Sequence, residues 1–227
     1  MHEMKLVIFD CDGTLVDSQH LIVEAMNMGL RANGLAEMPR DRILSIIGLS
    51  LPLAIETLLP DQPPEIIAGV TAGYRDGFTV LRAKPNSHEP LYDGIGQVID
   101  ALTARHDTLL GIATGKSIRG VDRLLAHMQW EGRFITIQTA DTNASKPHPE
   151  MIETAMREAG TLPEETIMIG DTTFDMRMAR NAGVAALGVS WGYHPVDALH
   201  QEGAHDVAQT AADLIPAADR LLRGAAG

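Results

Sequence analysis

The chain has 227 residues, 45% of them apolar and 21% charged, the balance of an ordinary globular protein with ample material for a core. A formal net charge of -12 argues against a nucleic-acid or anionic-membrane partner, since both need basic patches that release counterions. The single cysteine, Cys11, excludes an intramolecular disulfide and any multi-cysteine metal site, which fits a reducing, cytoplasmic setting.

The few residues ahead of the first apolar run include Glu3 and do not read as a signal peptide. The uncharged stretch from Ile43 to Ile55 is broken by Gly48 and Pro52 and falls short of the roughly 20 residues a membrane helix needs. The first element is the run from Lys5 to Phe9, apolar after its lysine, which suits a strand buried on both faces. It ends in Asp10-Cys-Asp12-Gly-Thr-Leu-Val-Asp17-Ser18. Residues two apart share a face of a strand, so Asp10 and Asp12 leave it toward the same space. Two like charges so close raise each other's pKa unless a cation or a shared proton offsets them. A metal site or paired catalysis explains the pair, and so does a plain Asp-Gly turn.

Asp17 or Ser18 can cap a helix carrying Leu21, Ile22, Ala25, Met26 and Gly29 at helical spacing. Helical patterns follow over Asp41 to Ile47, Leu51 to Leu59 and Pro64 to Leu81, without a convincing strand, and read as an inserted helical subdomain. The polar, proline-rich segment Ala83 to Pro90 reads as the return linker. The organisation expected is therefore a core of residues 1-15 and 85-227 with a helical cap over 16-84.

Beyond the linker the pattern alternates. A helix with Ile95, Val98, Ile99 and Leu102 on one face precedes a strand over Leu109 to Ala113, then a helix over Ser117 to Met128. A strand over Phe134 to Ile137 leads to a helix from Pro149 to Ala159, closed by Gly160. A strand over Thr166 to Ile169, a short helix ending at Gly183 and a strand over Val184 to Val189 follow. Asp206 to Leu222 is expected to form one last helix, with Gly224 to Gly227 frayed. Strands separated by single helices predict an α/β, doubly wound parallel sheet, whose ligands bind beyond the carboxyl ends of the strands.

The residues that carry chemistry fall at those ends. After the second strand comes Thr114-Gly115-Lys116-Ser117, whose hydroxyl and backbone N-H groups suit a phosphate oxygen, although Thr114 alone reads equally as a helix cap. Lys146 is fixed before a helix by Pro147 and Pro149, where an isolated lysine would otherwise be a solvated charge. Gly170-Asp171-Thr-Thr-Phe-Asp175 adds two acids at a helix start, where capping would also favour them. Together, a carboxylate nucleophile, oxygen ligands for magnesium, a lysine and phosphate donors are the set that phosphoryl transfer requires. The spacing Gly111 to Gly115 is one residue short of a nucleotide-binding P-loop. The histidines show no metal-ligand spacing, though His148 and His194 lie near the expected site. Cys11 reads as a small buried apolar residue, the methionines as core filling, and Trp191 and Tyr193 as an aromatic contact or as packing on the last strand.

These motifs, in this order, resemble the haloacid dehalogenase superfamily in its phosphatase branch with a helical cap. The matches are Asp10-Cys-Asp12-Gly-Thr-Leu-Val-Asp17, then Thr114-Gly115, Lys146-Pro147, and Gly170-Asp171-Thr-Thr-Phe-Asp175. The resemblance implies that Asp10 attacks phosphorus to form an aspartyl-phosphate, and that Asp12 protonates the leaving alcohol and then activates water. It implies magnesium (Mg2+) held by Asp10, the backbone carbonyl of Asp12 and Asp171. Thr114 and Gly115 would hold the phosphoryl group, Lys146 would neutralise charge on nucleophile and phosphate, and Asp175 would support the lysine or the metal. The Asp12 position separates the chain from the dehalogenases and from the phosphonoacetaldehyde hydrolases, which carry alanine there. Sugar phosphomutases keep the pair but place a histidine where this chain has Ile22. The segments Ile46 to Leu51 and Ser190 to Tyr193 are similar to phosphoglycolate phosphatases. The expectation is a magnesium-dependent phosphatase of a small phosphorylated metabolite, such as 2-phosphoglycolate, acting as monomer or homodimer. A β-phosphoglucomutase-like mutase and a non-catalytic phosphate-binding protein are the alternatives.

Overall fold

A computed structural model describes residues 4–84 and 89–224. Residues 85–88 of the expected return linker and the last three positions lie outside them. The first strand, β1 (Lys5–Phe9), is followed by four helices: α1 (Gln19–Ala32), α2 (Arg40–Leu44), α3 (Leu51–Leu58) and α4 (Pro64–Arg82). Then come α5 (Ile95–Thr103), β2 (Thr108–Thr114), α6 (Ile118–Met128), β3 (Thr136–Thr139), α7 (Glu150–Ala159) and β4 (Thr166–Gly170). The chain continues through α8 (Thr173–Asn181), β5 (Ala185–Val189), α9 (Val196–Gln201) and β6 (Asp206–Ala208) to α10 (Ala211–Gly224).

The strands form one six-stranded sheet in the order β3-β2-β1-β4-β5-β6, and every pair is parallel. The apolar run of β1 places it at the centre, because its two faces enter different cores. Val7 and Phe9 join Ile95, Ile99, Val121 and Leu214 beneath α5, α6 and α10, while Leu6 and Ile8 join Met151, Ile152 and Met176 beneath α7 and α8. The order reverses between β1 and β4, which opens a crevice at their carboxyl ends.

Helices α1 to α4 bury a separate cluster that includes Met26, Leu30, Ile43, Ile55 and Val70. Helices α1 and α4 approach at glycine: a Cβ on Gly73 would lie 2.9 Å from the Gly29 Cα, and one on Gly29 would lie 2.8 Å from the Val70 carbonyl oxygen. Among the described residues no helix is long and apolar enough to cross a membrane.

Several elements differ from expectation. The third strand runs Thr136–Thr139 rather than Phe134 to Ile137. Apolarity pointed to Phe134, but that side chain packs in the core beside Trp130, whereas the buried polar residues Thr136 and Gln138 carry the ladder and share the Glu158 carboxylate. The tail is a strand and then a helix: Asp206–Ala208 pairs with β5, and Thr210 and Asp213 cap a helix that starts at Ala211. The short helix α9 had no clear apolar period to reveal it. The helix expected over Asp41 to Ile47 is confined to Arg40–Leu44, and residues 45–50 form a turn over the sheet edge.

Candidate active site

Residues Asp10, Asp12, Thr114, Lys146, Asp171 and Asp175 all meet beyond the carboxyl ends of β1, β2 and β4. Asp10 is buried where β1 ends, and Lys146, itself without solvent exposure, reaches it from the segment before α7. The lysine Nζ stands 2.6 Å from Asp175 Oδ1 and 3.0 Å from Asp10 Oδ1. The second contact is an ion pair whose direction does not make a hydrogen bond, so this buried Asp10 oxygen lacks a donor. Burial alone would push Lys146 down, but Asp10 and Asp175 outweigh it and hold the ammonium firmly protonated.

Asp175 completes a cap at the start of α8. Its Oδ2 accepts from the Thr172 backbone N-H (3.0 Å) and from the Thr172 hydroxyl (2.7 Å). With Lys146 on its other oxygen, this carboxylate is fully engaged. Asp171 is held differently. Its Oδ1 accepts from the Thr14 hydroxyl (2.9 Å) and its Oδ2 from the Tyr193 N-H (2.9 Å). Two glycines enclose it: a Cβ at Gly13 would sit 2.2 Å from Asp171 Oδ2, and one at Gly192 2.1 Å from the Asp171 Cβ. Gly13 also needs its positive φ of 88° to turn the chain away from β1.

Asp12 faces the other way. Both its donors fall on Oδ1: Ser18 Oγ at 2.6 Å and Lys116 Nζ at 2.7 Å. Lys116 also donates to Glu89 Oε1 at 2.9 Å, and Arg82, at the end of α4, donates to both oxygens of Glu89 at 3.0 and 3.1 Å. Burial would raise the Asp12 pKa, but Lys116 and then Ser18 overcome it and hold the carboxyl below its ordinary range. Tyr193 ties the two carboxylates together, since its N-H binds Asp171 while its hydroxyl lies 3.2 Å from Ser18 Oγ.

Thr114 is buried at the end of β2 and accepts from the Lys116 N-H at 3.2 Å. Gly115 permits the close approach of the turn before α3: a Cβ there would lie 2.6 Å from the Leu49 carbonyl oxygen and 2.8 Å from that of Gly48. Ser50 N-H binds Ser145 Oγ beside it at 2.8 Å. Between these layers lies a cavity of about 600 Å³, whose lining includes Asp10, Asp12, Thr114 and Gly115 from the sheet edge and Ile47 and Leu49 from the helical layer.

One oxygen from each of Asp10, Asp171 and Asp175 lies within 4.8 Å of the others, all three residues being buried. Burial, opposed by Lys146 and reinforced by Asp175, pushes Asp10 up to about 6, and burial with Asp175 and Asp10 raises Asp171 well above its ordinary range. Three buried carboxylates against one lysine leave uncompensated negative charge on hard oxygens, and these residues fit a divalent cation. Asp10 and Asp171 have oxygen lone pairs to give, whereas Asp175 is committed to Lys146 and Thr172.

Four contributors escape a sequence reading. Ser18 was expected as a possible helix cap but makes no cap bond and turns to Asp12 instead. Tyr193 is read from the sequence as an aromatic contact or packing in a segment similar to phosphoglycolate phosphatases, Lys116 only as part of the turn after the second strand, and Glu89 only as linker. A lysine directly after Thr-Gly at a strand end was the one available signal; the partners of Glu89 come from distant segments. His148 turns to the Glu150 N-H, and His194 accepts from the Thr173 N-H against the edge of Phe174. Neither lines the cavity. Cys11 is buried, and its thiol is pushed up by burial and by Asp10 and Asp12.

Known proteins share this architecture. A probable phosphatase, IndB, of Dickeya dadantii (strain 3937) is 36% identical over 221 residues, covering 96% of this chain and 95% of its own. A phosphoglycolate phosphatase of Agrobacterium fabrum is 32% identical over 201 residues, covering 87% of this chain and 85% of its own. The crystal structure of a hydrolase from Pseudomonas syringae superposes with a TM-score of 0.83 at 25% identity, over 96% of this chain and 99% of that one. The family model for haloacid dehalogenase-like hydrolases matches residues 7–189, from β1 to the end of β5, and this chain belongs to that family.

Proposed function

We propose that this hydrolase is a magnesium-dependent phosphomonoester phosphatase that works through an aspartyl-phosphate on Asp10. The observation that carries the reading is the division of labour between two carboxylates two residues apart. Asp10 faces Lys146 and the acidic cluster, while Asp12 is held by donors on one oxygen and so keeps Oδ2 for proton transfer. The relatives named as phosphatases support the same class.

Asp10 and Asp171 would hold the magnesium ion, with the Asp12 carbonyl. When bound, the ion offsets the negative charge of Asp10 and of the phosphate. Asp10 attacks phosphorus from the floor of the cavity. Lys146, kept protonated by its two carboxylates, neutralises charge on both partners, and Asp175 holds it there. Thr114 and the Gly115 N-H bind the phosphoryl oxygens. Asp12 rests as a carboxylate beside Lys116; an arriving phosphate dianion raises its proton affinity, so that it takes up a proton from solvent as the substrate binds and then delivers that proton to the leaving alcohol. The resulting carboxylate then takes a proton from the water that opens the aspartyl-phosphate. Residues 16-84 act as a cap that closes over the cavity, chooses the substrate and excludes bulk water. Ile22 lines the cavity where a sugar phosphomutase-like chain would carry a histidine, which favours hydrolysis over isomerisation.

The test is phosphate release from a panel of small phosphomonoesters, with 2-phosphoglycolate and hexose phosphates among them, in magnesium and in chelator. Magnesium-dependent release by the wild type, lost in Asp10→Asn, is the expected result. Isomerised sugar phosphate without free phosphate would replace the reading with a mutase, and binding without turnover would replace it with a phosphate-binding protein.

A further inference from the structure

The cavity above Asp10 and Asp12 carries more positive charge than the transferred phosphate needs. Arg75 on α4 and Arg119 and Arg123 on α6 all line it. None of these three guanidinium groups has a hydrogen-bond or ion-pair partner among the described residues. All three are exposed at the rim of the cavity, whereas Arg31, Arg105, Arg133 and Arg177 are each paired with carboxylates elsewhere on the molecule. The other cations of the lining are already committed, Lys116 to Asp12 and Glu89, and Arg82 to Glu89. The lining acid Asp141 gives Oδ2 to the Ile118 N-H at 2.8 Å and keeps its charge, which Arg75, Arg119 and Arg123 outnumber.

Like charges facing a common cavity from two elements repel, and an anion between them removes that cost. The guanidinium fork matches carboxylate and phosphate oxygens in pairs. Arg119 and Arg123 are four residues apart on one helix, so they extend the positive surface along α6 by about 6 Å. The Asp10 end of the cavity is acidic, so a second anion belongs at the arginine end.

Resting on the phosphatase reading above, we infer that the substrate is an extended phosphomonoester with a second anionic group, a carboxylate or another phosphate, gripped by Arg75, Arg119 and Arg123 while Asp10 takes the first phosphate. The charge selectivity is built from both layers, Arg75 from the helical insert and the α6 pair from the sheet edge. A net charge of -12 would otherwise repel such a molecule, and the local positive wall overcomes this at the cavity.

The test is equilibrium binding to the magnesium-loaded protein of phosphonates that cannot be hydrolysed: propylphosphonate, phosphonoacetate, a three-carbon phosphonocarboxylate and a three-carbon bisphosphonate. The two longer probes with anionic tails should bind about tenfold tighter than propylphosphonate, a gain expected of charge-assisted hydrogen bonds. The gain should shrink toward unity in Arg119→Gln/Arg123→Gln and fall in Arg75→Gln, while circular dichroism checks that the variants fold. Comparing the carboxylate probe with the bisphosphonate identifies the preferred group. Equal affinity for charged and neutral tails, a gain confined to phosphonoacetate, or a gain that survives loss of the arginines would overturn the inference. Because no probe is turned over, these outcomes stand apart from the phosphate-release assay: tight binding of the longer probes without hydrolysis of any ester would keep the anion site and remove the phosphatase.

Discussion

Asp12 shows how much a single residue depends on what surrounds it. Lys116 and Ser18 share its Oδ1, and Glu89 draws on the same ammonium from the other side. Asp12→Asn keeps the shape but can neither give nor take a proton, so kcat should fall by roughly a hundred- to ten-thousand-fold, measured on any substrate the wild type turns over. Glu89→Gln is the finer probe. With Glu89 neutral, Lys116 acts more fully on Asp12, so the limb of the kcat pH profile governed by Asp12 should move to lower pH. A profile superimposable on that of the wild type would sever Glu89 from the acid-base step. Lys146 sits at 0% exposure between two carboxylates, and Lys146→Met should remove turnover while leaving those acids to repel one another.

At the scale of elements, glycines decide how closely the layers meet. Gly73 lets α4 lie against Gly29 of α1, and Gly73→Ala must push the helices apart. Overpacking of this kind costs about 1–3 kcal/mol, a loss of several degrees in a thermal melt. Gly115 belongs to a different contact, where the core loop touches the Gly48 and Leu49 carbonyl oxygens. Gly115→Ala should impair kcat/KM by tenfold or more, a larger loss than its effect on stability, because the turn over the cavity can no longer seat. If both substitutions act equally on stability and on activity, the two contacts do not have separate roles.

For the whole molecule, the central question is how it tolerates a buried acidic cluster. Magnesium should raise the melting temperature and chelator should lower it, because a ligand that binds only the native cluster stabilises the native state. Without metal, pH takes over that role. Asp10 has a native pKa of about 6, above its ordinary value of 3.8, so between those values the native state binds more proton than the unfolded chain. The unfolding free energy in chelator should therefore decline as pH rises from about 4 to about 6, by up to about 3 kcal/mol. Denaturant titration at several pH values checks the sign: stability rising through that window would mean that the cluster is not strained. Saturating magnesium should flatten the dependence.

The order of elements through β5, the parallel sheet and the acids, lysine and hydroxyl of the sheet edge were legible in the chain because each rests on local chemistry. A strand buried on both faces must be continuously apolar, as Leu6 to Phe9 are, and residues just after such strands must gather at one edge. The third strand was misplaced because Thr136 and Gln138 are polar and are made burial-competent only by Glu158 on another element. The same limit hid Glu89, Ser18 and Tyr193. Hydrogen bonds between residues many positions apart leave no period in the sequence, and the charge on Asp12 is set by partners that only the folded chain assembles. The chain thus determined which acids, lysine and hydroxyl meet at the sheet edge; tertiary structure alone decided which oxygen of each is occupied, and which arginines line the cavity above them.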